Sequence, residues 1–404
     1  MGDIMKENKN VPEIRFEGFE GEWEDNQFNN VAIYRNGRAH ENDIEERGKY
    51  IVVNSKFVST NGEVKKYSNK QNEPLYLGEI AFVLSDVPNG RAIARTFLVD
   101  ANNKYTLNQR IAAITPTEET DSYFLYILLN RNKYFLQFDD GAKQTNLSKV
   151  DVENFLSYYP SKPEQSQIGT FFQNLDKQIT LEQQKHDKLV TLKKAMLEKM
   201  FPKEGASVPE IRFEGFENKW NLKKLSELTN YKNGVGNENN QSDSGKYELI
   251  NLNSISINGG LKHSGKYIDE TESTLCENDL VMILSDVGHG DLLGRVAIIP
   301  ENDKYVLNQR VALLRPNNSI NPKFLFYNIN ANQYYFKLQG AGMSQLNISR
   351  SSVENFMSYI PIIIIEQSKI GSYFQNLDKL ISLQQQKIDK LKNIKKACLD
   401  KMFV

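Results

Sequence analysis

With 404 residues, 50 Lys and Arg against 51 Asp and Glu, and a formal charge of −1, the chain is too long for one ordinary domain. It is also too evenly charged for a DNA binder whose grip rests on a large basic excess. Its two cysteines, Cys276 and Cys398, have no CxxC or Cys/His spacing, which argues against a disulfide framework or zinc site and for a reducing, cytoplasmic setting. Apolar runs such as Ile362–Ile365 are far short of the roughly 20 residues that cross a bilayer, so no membrane attachment is expected.

The first segment with a distinctive sequence, VPEIRFEGFE at Val11–Glu20, returns letter for letter at Val208–Glu217. Further matches keep the same order: LSDV at Leu84 and Leu284, YTLNQRIA at Tyr105 against YVLNQRVA at Tyr305, and VENFLSYYP at Val152 against VENFMSYIP at Val353. The chain is therefore a duplicated unit whose period is too long for a solenoid repeat. Within each copy, short apolar runs such as Tyr50–Asn54, Glu79–Ser85 and Arg110–Pro116 alternate with Gly, Asn and Asp turn signals and read as strands. A helical stretch follows over Ser122–Phe138 and Pro322–Leu338. Each copy is thus expected to hold an α+β domain, with residues 1–160 and 205–361 as the two domains and 161–204 and 362–404 as helical segments.

Those helical segments carry a seven-residue pattern. Ile168, Phe172, Leu175, Ile179, Glu182, Leu189 and Met196 fall on one seam in the first. Ile370, Phe374, Leu377, Ile381, Gln384, Ile388 and Leu391 fall on it in the second. Pseudo-two-fold symmetry predicts two long helices, each about 57 Å at 1.5 Å per residue, paired as an antiparallel coiled coil. Glu182 and Gln384 would then lie near the crossing as a polar pair that fixes register.

Taken together, VPEIRFEGFEGEW and VPEIRFEGFENKW, the LNQR strands, the QTNLSKVDVENF and QLNISRSSVENF stretches and the helices ending in KMF resemble the specificity subunits of type I restriction-modification enzymes. The resemblance covers almost the whole chain, twice. It implies two target recognition domains, each reading half of an interrupted site on double-stranded DNA, and helical regions that set the spacing and dock partners. Those partners would be two modification subunits, which use S-adenosylmethionine to methylate adenine, and restriction subunits, which use ATP and Mg2+. No cofactor is expected in this chain and no catalysis by it. The closest string to an adenine methyltransferase loop, Asn321–Phe324, lacks the second proline and begins a predicted helix. The phosphate-loop match at Gly260–Lys266 has Tyr267 where a magnesium-ligating Ser or Thr belongs. A stand-alone repressor with two DNA-binding domains is the rival reading.

The duplication also sorts candidate DNA-binding residues. If the half-sites differ, residues identical in both copies cannot read the differing bases. Arg110 and Arg310 are assigned on that ground to scaffold or phosphate roles, despite lying in a motif whose side chains could read guanine and adenine. Divergent loop residues are the expected readers: Arg35, Asn36 and Arg38 against Lys232 and Asn233, and Asn89 and Arg91 against His289. Arg95 and Arg295 are expected on phosphate, and Lys143, Gln144, Ser344 and Gln345 complete the set from two Gly-containing loops.

Overall fold

A computed structural model describes residues 10–87, 91–203, 205–237, 239–286, 290–342 and 345–404. The chain forms two compact units, one made of the residues up to Glu182 together with Lys387–Val404, the other of Gln183–Gln386.

In the first unit, strands β1 (Ala32–Asn36), β2 (Ile80–Val83), β3 (Thr96–Leu98) and β4 (Ile111–Pro116) form an antiparallel sheet in the order β1-β4-β2-β3. Successive side chains of a strand point to opposite faces, and here both faces are covered. Ile80, Phe82, Ala112 and Ile114 enter the larger core beneath the helices. Ala81, Val83, Ile111 and Ala113 enter a second core. That double burial is why these strands read as continuous apolar runs rather than as an alternation. A three-stranded sheet contains Tyr67–Ser68, Tyr50–Val53 and Tyr105–Leu107, the last two parallel.

The helical stretch after β4 is split. Helix α1 covers Ser122–Leu129, and a separate turn covers Lys133–Leu136. Between them Arg131 adopts a left-handed φ of 58°, and the Asn132 side chain accepts from Tyr134 N to cap the second piece. Asparagine bonds to nearby backbone and so breaks helices that apolar periodicity alone would continue. Helix α2 (Lys162–Met200) begins in this unit.

The second unit repeats the plan: β5 (Thr229–Asn233), β6 (Leu280–Ile283), β7 (Val296–Ile298) and β8 (Val311–Pro316) in the order β5-β8-β6-β7, then α3 (Pro322–Ala331) and the long α4 (Ile364–Met402). The two long helices are shared between the units. In the first, Lys395 Nζ donates to both carboxylate oxygens of Asp176 at 2.6 and 2.7 Å, and Lys387 Nζ donates to buried Glu182 at 2.9 Å. In the second, Lys193 pairs with Asp378. Residue numbers rise along one helix as they fall along the other, so in each unit the helices pack antiparallel.

Every predicted seam residue on α2 and α4 is buried or half-buried, with exposed residues such as Leu181 and Leu380 between them. The Lys-Met-Phe ends have a specific task. Met402 joins the first unit's core, where the Phe403 ring stacks on Phe124 with centroids 5.3 Å apart. Met200 and Phe201 join the second, with Phe201 stacked on Phe374 at 5.9 Å.

Each long helix has one glycine, and its reason is close approach. A Cβ on Gly169 would stand 2.5 Å from Asp121 Oδ1, and one on Gly371 would stand 2.8 Å from Phe324 N. Glycine lets the helix press against the first turn of α1 or α3.

Candidate nucleic-acid interface

Antiparallel pairing puts the C-terminal ends of β1 and β2 at the same edge of the sheet as the N-terminal ends of β4 and β3. The loops holding the predicted residues follow those ends, so the fold collects them. Gly37 N donates to Ile111 O at 3.0 Å, Arg38 N to Leu107 O at 3.0 Å, Leu84 N to Arg110 O at 3.0 Å and Leu147 N to Leu84 O at 2.8 Å. Ser85–Asp86 then pairs with Thr145–Asn146 beside Gln144. The second unit builds the same edge through Gly234 N to Val311 O, Leu284 N to Arg310 O and Ile348 N to Leu284 O, each 2.9 Å. The Asn-Gly turns are dictated by contact: a Cβ on Gly37 would lie 2.0 Å from Asn108 O, and one on Gly234 would lie 1.8 Å from Asn308 O.

Residues identical in both copies organise this edge. Asp86 accepts from Val87, Ala92 and Ile93 N at 2.9, 2.5 and 3.2 Å, and Asp286 from Leu292 N at 3.1 Å, which shapes the loops that follow. Arg110 and Arg310 are exposed, and neither makes a salt bridge among the described residues. Arg310 holds a left-handed φ of 65°.

Divergent residues are arranged differently in the two units. Arg35 NH2 donates to Glu79 Oε1 and Oε2 at 2.9 and 3.0 Å, and NH1 bonds Glu73 and the Pro74 carbonyl. Both carboxylates are nearly buried, so Arg35 is tied into the domain. In the second unit Arg315 takes over, donating Nε and NH2 to Asp279 at 2.7 Å each. Among the described residues Lys232 is left with only Ser273 Oγ, at 3.0 Å, and it lines an open groove of 480 Å³ with Asn233 and Arg315. Arg38, 71% exposed, touches Glu73 at 3.0 Å. Asn36 and Asn233 each accept from a tyrosine hydroxyl two residues earlier, at 2.7 and 2.5 Å.

Arg91 is exposed, and its carbonyl accepts from Arg95 Nε at 2.6 Å. Arg295 is half-buried with NH1 on Asn330 O at 3.3 Å, and burial pushes its pKa down. Gln144 Nε2 donates to Ser85 Oγ at 2.8 Å, Lys143 is exposed and Gln345 is half-buried. Asn89, His289 and Ser344 lie outside the described residues. Arg131 is a further cation at this edge that the sequence reading passed over. It bonds the Ala94 and Ile93 carbonyls, and its signal was a single divergent letter between identical neighbours, Asn130-Arg131-Asn132 against Asn330-Ala331-Asn332.

The string at Asn321 has a structural role. Its side chain caps α3 by accepting from Phe324 N at 3.1 Å, and Phe324 is fully buried. Among the described residues no group of His, Cys, Asp and Glu is arranged to hold a metal ion, and no helix is long and apolar enough to cross a membrane.

The same architecture occurs in solved proteins. The S subunit of the type I restriction-modification system from M. genitalium superposes with a TM-score of 0.68 at 17% identity, covering 98% of this chain and 99% of that one. A chain from a type I R-M system solved to explain complex assembly and conformational transition gives 0.54 at 16% identity, covering 94% and 97%. The family model described as type I restriction modification DNA specificity domain matches residues 20–191 and again 217–393. With both halves matched, the chain belongs to the type I restriction-modification DNA specificity family.

Proposed function

We propose that the chain reads an interrupted duplex DNA site through two recognition domains, residues 1–160 and 205–361. The helical segments 161–204 and 362–404 set the distance between half-sites and carry the docking surface for two modification subunits. Methylation of adenine with S-adenosylmethionine, and ATP- and Mg2+-dependent translocation and cleavage, belong in this reading to the modification and restriction subunits. The chain binds no cofactor of its own and works on cytoplasmic DNA.

The observation that carries the reading is one sheet edge built twice on an identical frame but furnished with different polar side chains. The frame is Asn-Gly, Asn-Gln-Arg and Ser-Asp in both units, while Arg38 and Arg91 stand in one and Lys232 and Asp291 in the other. Arg35, neutralised by two buried carboxylates, is reassigned from base reading to the frame. Lys232 and Arg38 remain as candidate base readers, because base-edge contacts specify while phosphate contacts only position, whereas Asn36, Asn233 and Gln144 match their counterparts in the other copy and go with the frame.

The test is co-expression with a cognate modification subunit and single-molecule sequencing for N6-methyladenine, with residues 208–361 exchanged for another such domain. Methylation at a two-part motif of which one half changes supports the reading. Methylation independent of this chain, combined with tight DNA binding by the chain alone, would replace it with a repressor.

A further inference from the structure

Three arginines meet at one corner of the first unit's edge. Arg91 and Arg95 belong to the strap entering β3, joined by the Arg95 Nε bond to the Arg91 carbonyl at 2.6 Å. Arg131 is folded onto the same strap. Its backbone N donates to Ala94 O at 2.8 Å and its guanidinium to Ile93 O at 3.2 Å. The left-handed backbone at Arg131, φ 58°, ends α1 in a position that delivers its side chain here.

Two carboxylates lie near the corner, and their hydrogen bonds come from neutral groups rather than from the arginines. Asp86 accepts from Val87, Ala92 and Ile93 N, and Asp139 from Thr145 Oγ1 at 2.9 Å and Gly141 N at 3.1 Å. None of the three arginines forms a salt bridge among the described residues. Burial, and then the Arg95 charge, push the Arg131 pKa down, against the opposing charges of Asp86 and Asp139. Three cations against two carboxylates leave the corner net positive, which favours an anion there.

The second unit has lost the cluster. Arg91 is replaced by Asp291, which pairs with Lys337 at 2.7 Å, and Arg131 is replaced by Ala331. Arg295 remains, directed to the Asn330 carbonyl.

We propose that Arg91, Arg95 and Arg131 form a phosphodiester-binding site present only in the first unit, so that this unit supplies the sequence-independent grip on duplex DNA. The proposal rests on the reading of the sheet edge as a DNA interface. It adds an asymmetry that the repeated frame conceals.

The experiment is fluorescence anisotropy of the full chain with a duplex of unrelated sequence over about 50–200 mM NaCl, comparing wild type, R131Q and R131K. Each phosphate contact contributes about 0.9 to the slope of log affinity against log salt. With R131Q the slope becomes shallower by about that amount, and the ratio of wild-type to variant affinity is roughly threefold larger at the low-salt end. R131K keeps the charge at the same left-handed backbone position and retains most of the slope. The proposal fails if R131Q leaves the slope unchanged, if both variants flatten it equally, or if the wild-type chain does not bind at low salt. Failure of the specificity reading looks different: methylation at an interrupted motif would be absent, while this slope, measured without a target sequence, would still respond to R131Q.

Discussion

Arg15 and Glu164, separated by 149 residues in sequence, meet as a two-pronged pair with both nitrogen-to-oxygen distances at 2.7 Å. Arg212 and Glu366 repeat the pair at 2.6 and 2.8 Å, and the Trp220 indole donates to the same carboxylate at 3.2 Å. The repeated decapeptide also reaches the end of the other long helix. Ile14 N donates to Lys401 O, and Ile211 N to Lys199 O, each at 2.9 Å. In each unit the segment fastens the start of one helix and the end of the other to the recognition domain.

R15A leaves Glu164, 1% exposed, as an uncompensated buried charge. Removing one partner of such a pair costs about 3–5 kcal/mol. We expect the first unit to melt earlier in a thermal scan, with R15K intermediate because a lysine keeps the charge but not the fork. An unchanged melting profile for R15A would mean that the pair does not fasten the helix.

Arg35 and Lys232 occupy equivalent strand positions but are predicted to fail differently. R35A strands Glu79 and leaves Glu73 with Arg38 alone, and should destabilise the first unit by about 3 kcal/mol in urea unfolding. K232A removes one hydrogen bond to an exposed serine and should change stability by no more than about 0.5 kcal/mol while weakening recognition of one half-site. Equal stability losses for the two would contradict the assignment of Arg35 to the frame.

Alanine is normally the better helix residue by about 1 kcal/mol over glycine. G169A and G371A should nevertheless both destabilise, because the new methyl meets Asp121 Oδ1 at 2.5 Å and Phe324 N at 2.8 Å. G371A is expected to cost more, since it presses on backbone, whereas Asp121 can swing away at the expense of its bonds to Tyr123 and Phe124 N. Chemical denaturation decides the sign.

Burial raises the hydroxyls of Tyr34, Tyr126 and Tyr231 to about 12. An unfolded chain ionises its tyrosines near pH 10. The folded state thus holds protons that the unfolded state releases, so this contribution is complete below about pH 10 and is lost as pH rises through 10 towards 12. Tyrosinate absorbance should show a group of residues titrating late, together with a falling melting temperature across that window. A single transition near pH 10 without loss of structure would contradict this.

The amino-acid sequence by itself determined the duplication, the strands of the central sheets and the helical seam, because each is a local pattern: an identical string, a short apolar run, a seven-residue spacing. The split of the expected helix at Asn130–Asn132 was missed because apolar periodicity dominated two asparagines that cap and break it. Residues common to both copies carry the common geometry, as Asp86 does by accepting from the loop that follows it. Only the tertiary structure decided that Arg35 is spent on Glu73 and Glu79, that Arg315 replaces it in the second unit, and that Arg131 joins Arg91 and Arg95. The physical reason is that the charge available at an arginine depends on which carboxylates the fold brings within about 3 Å. Those partners lie tens of residues away, at distances that local periodicity does not encode.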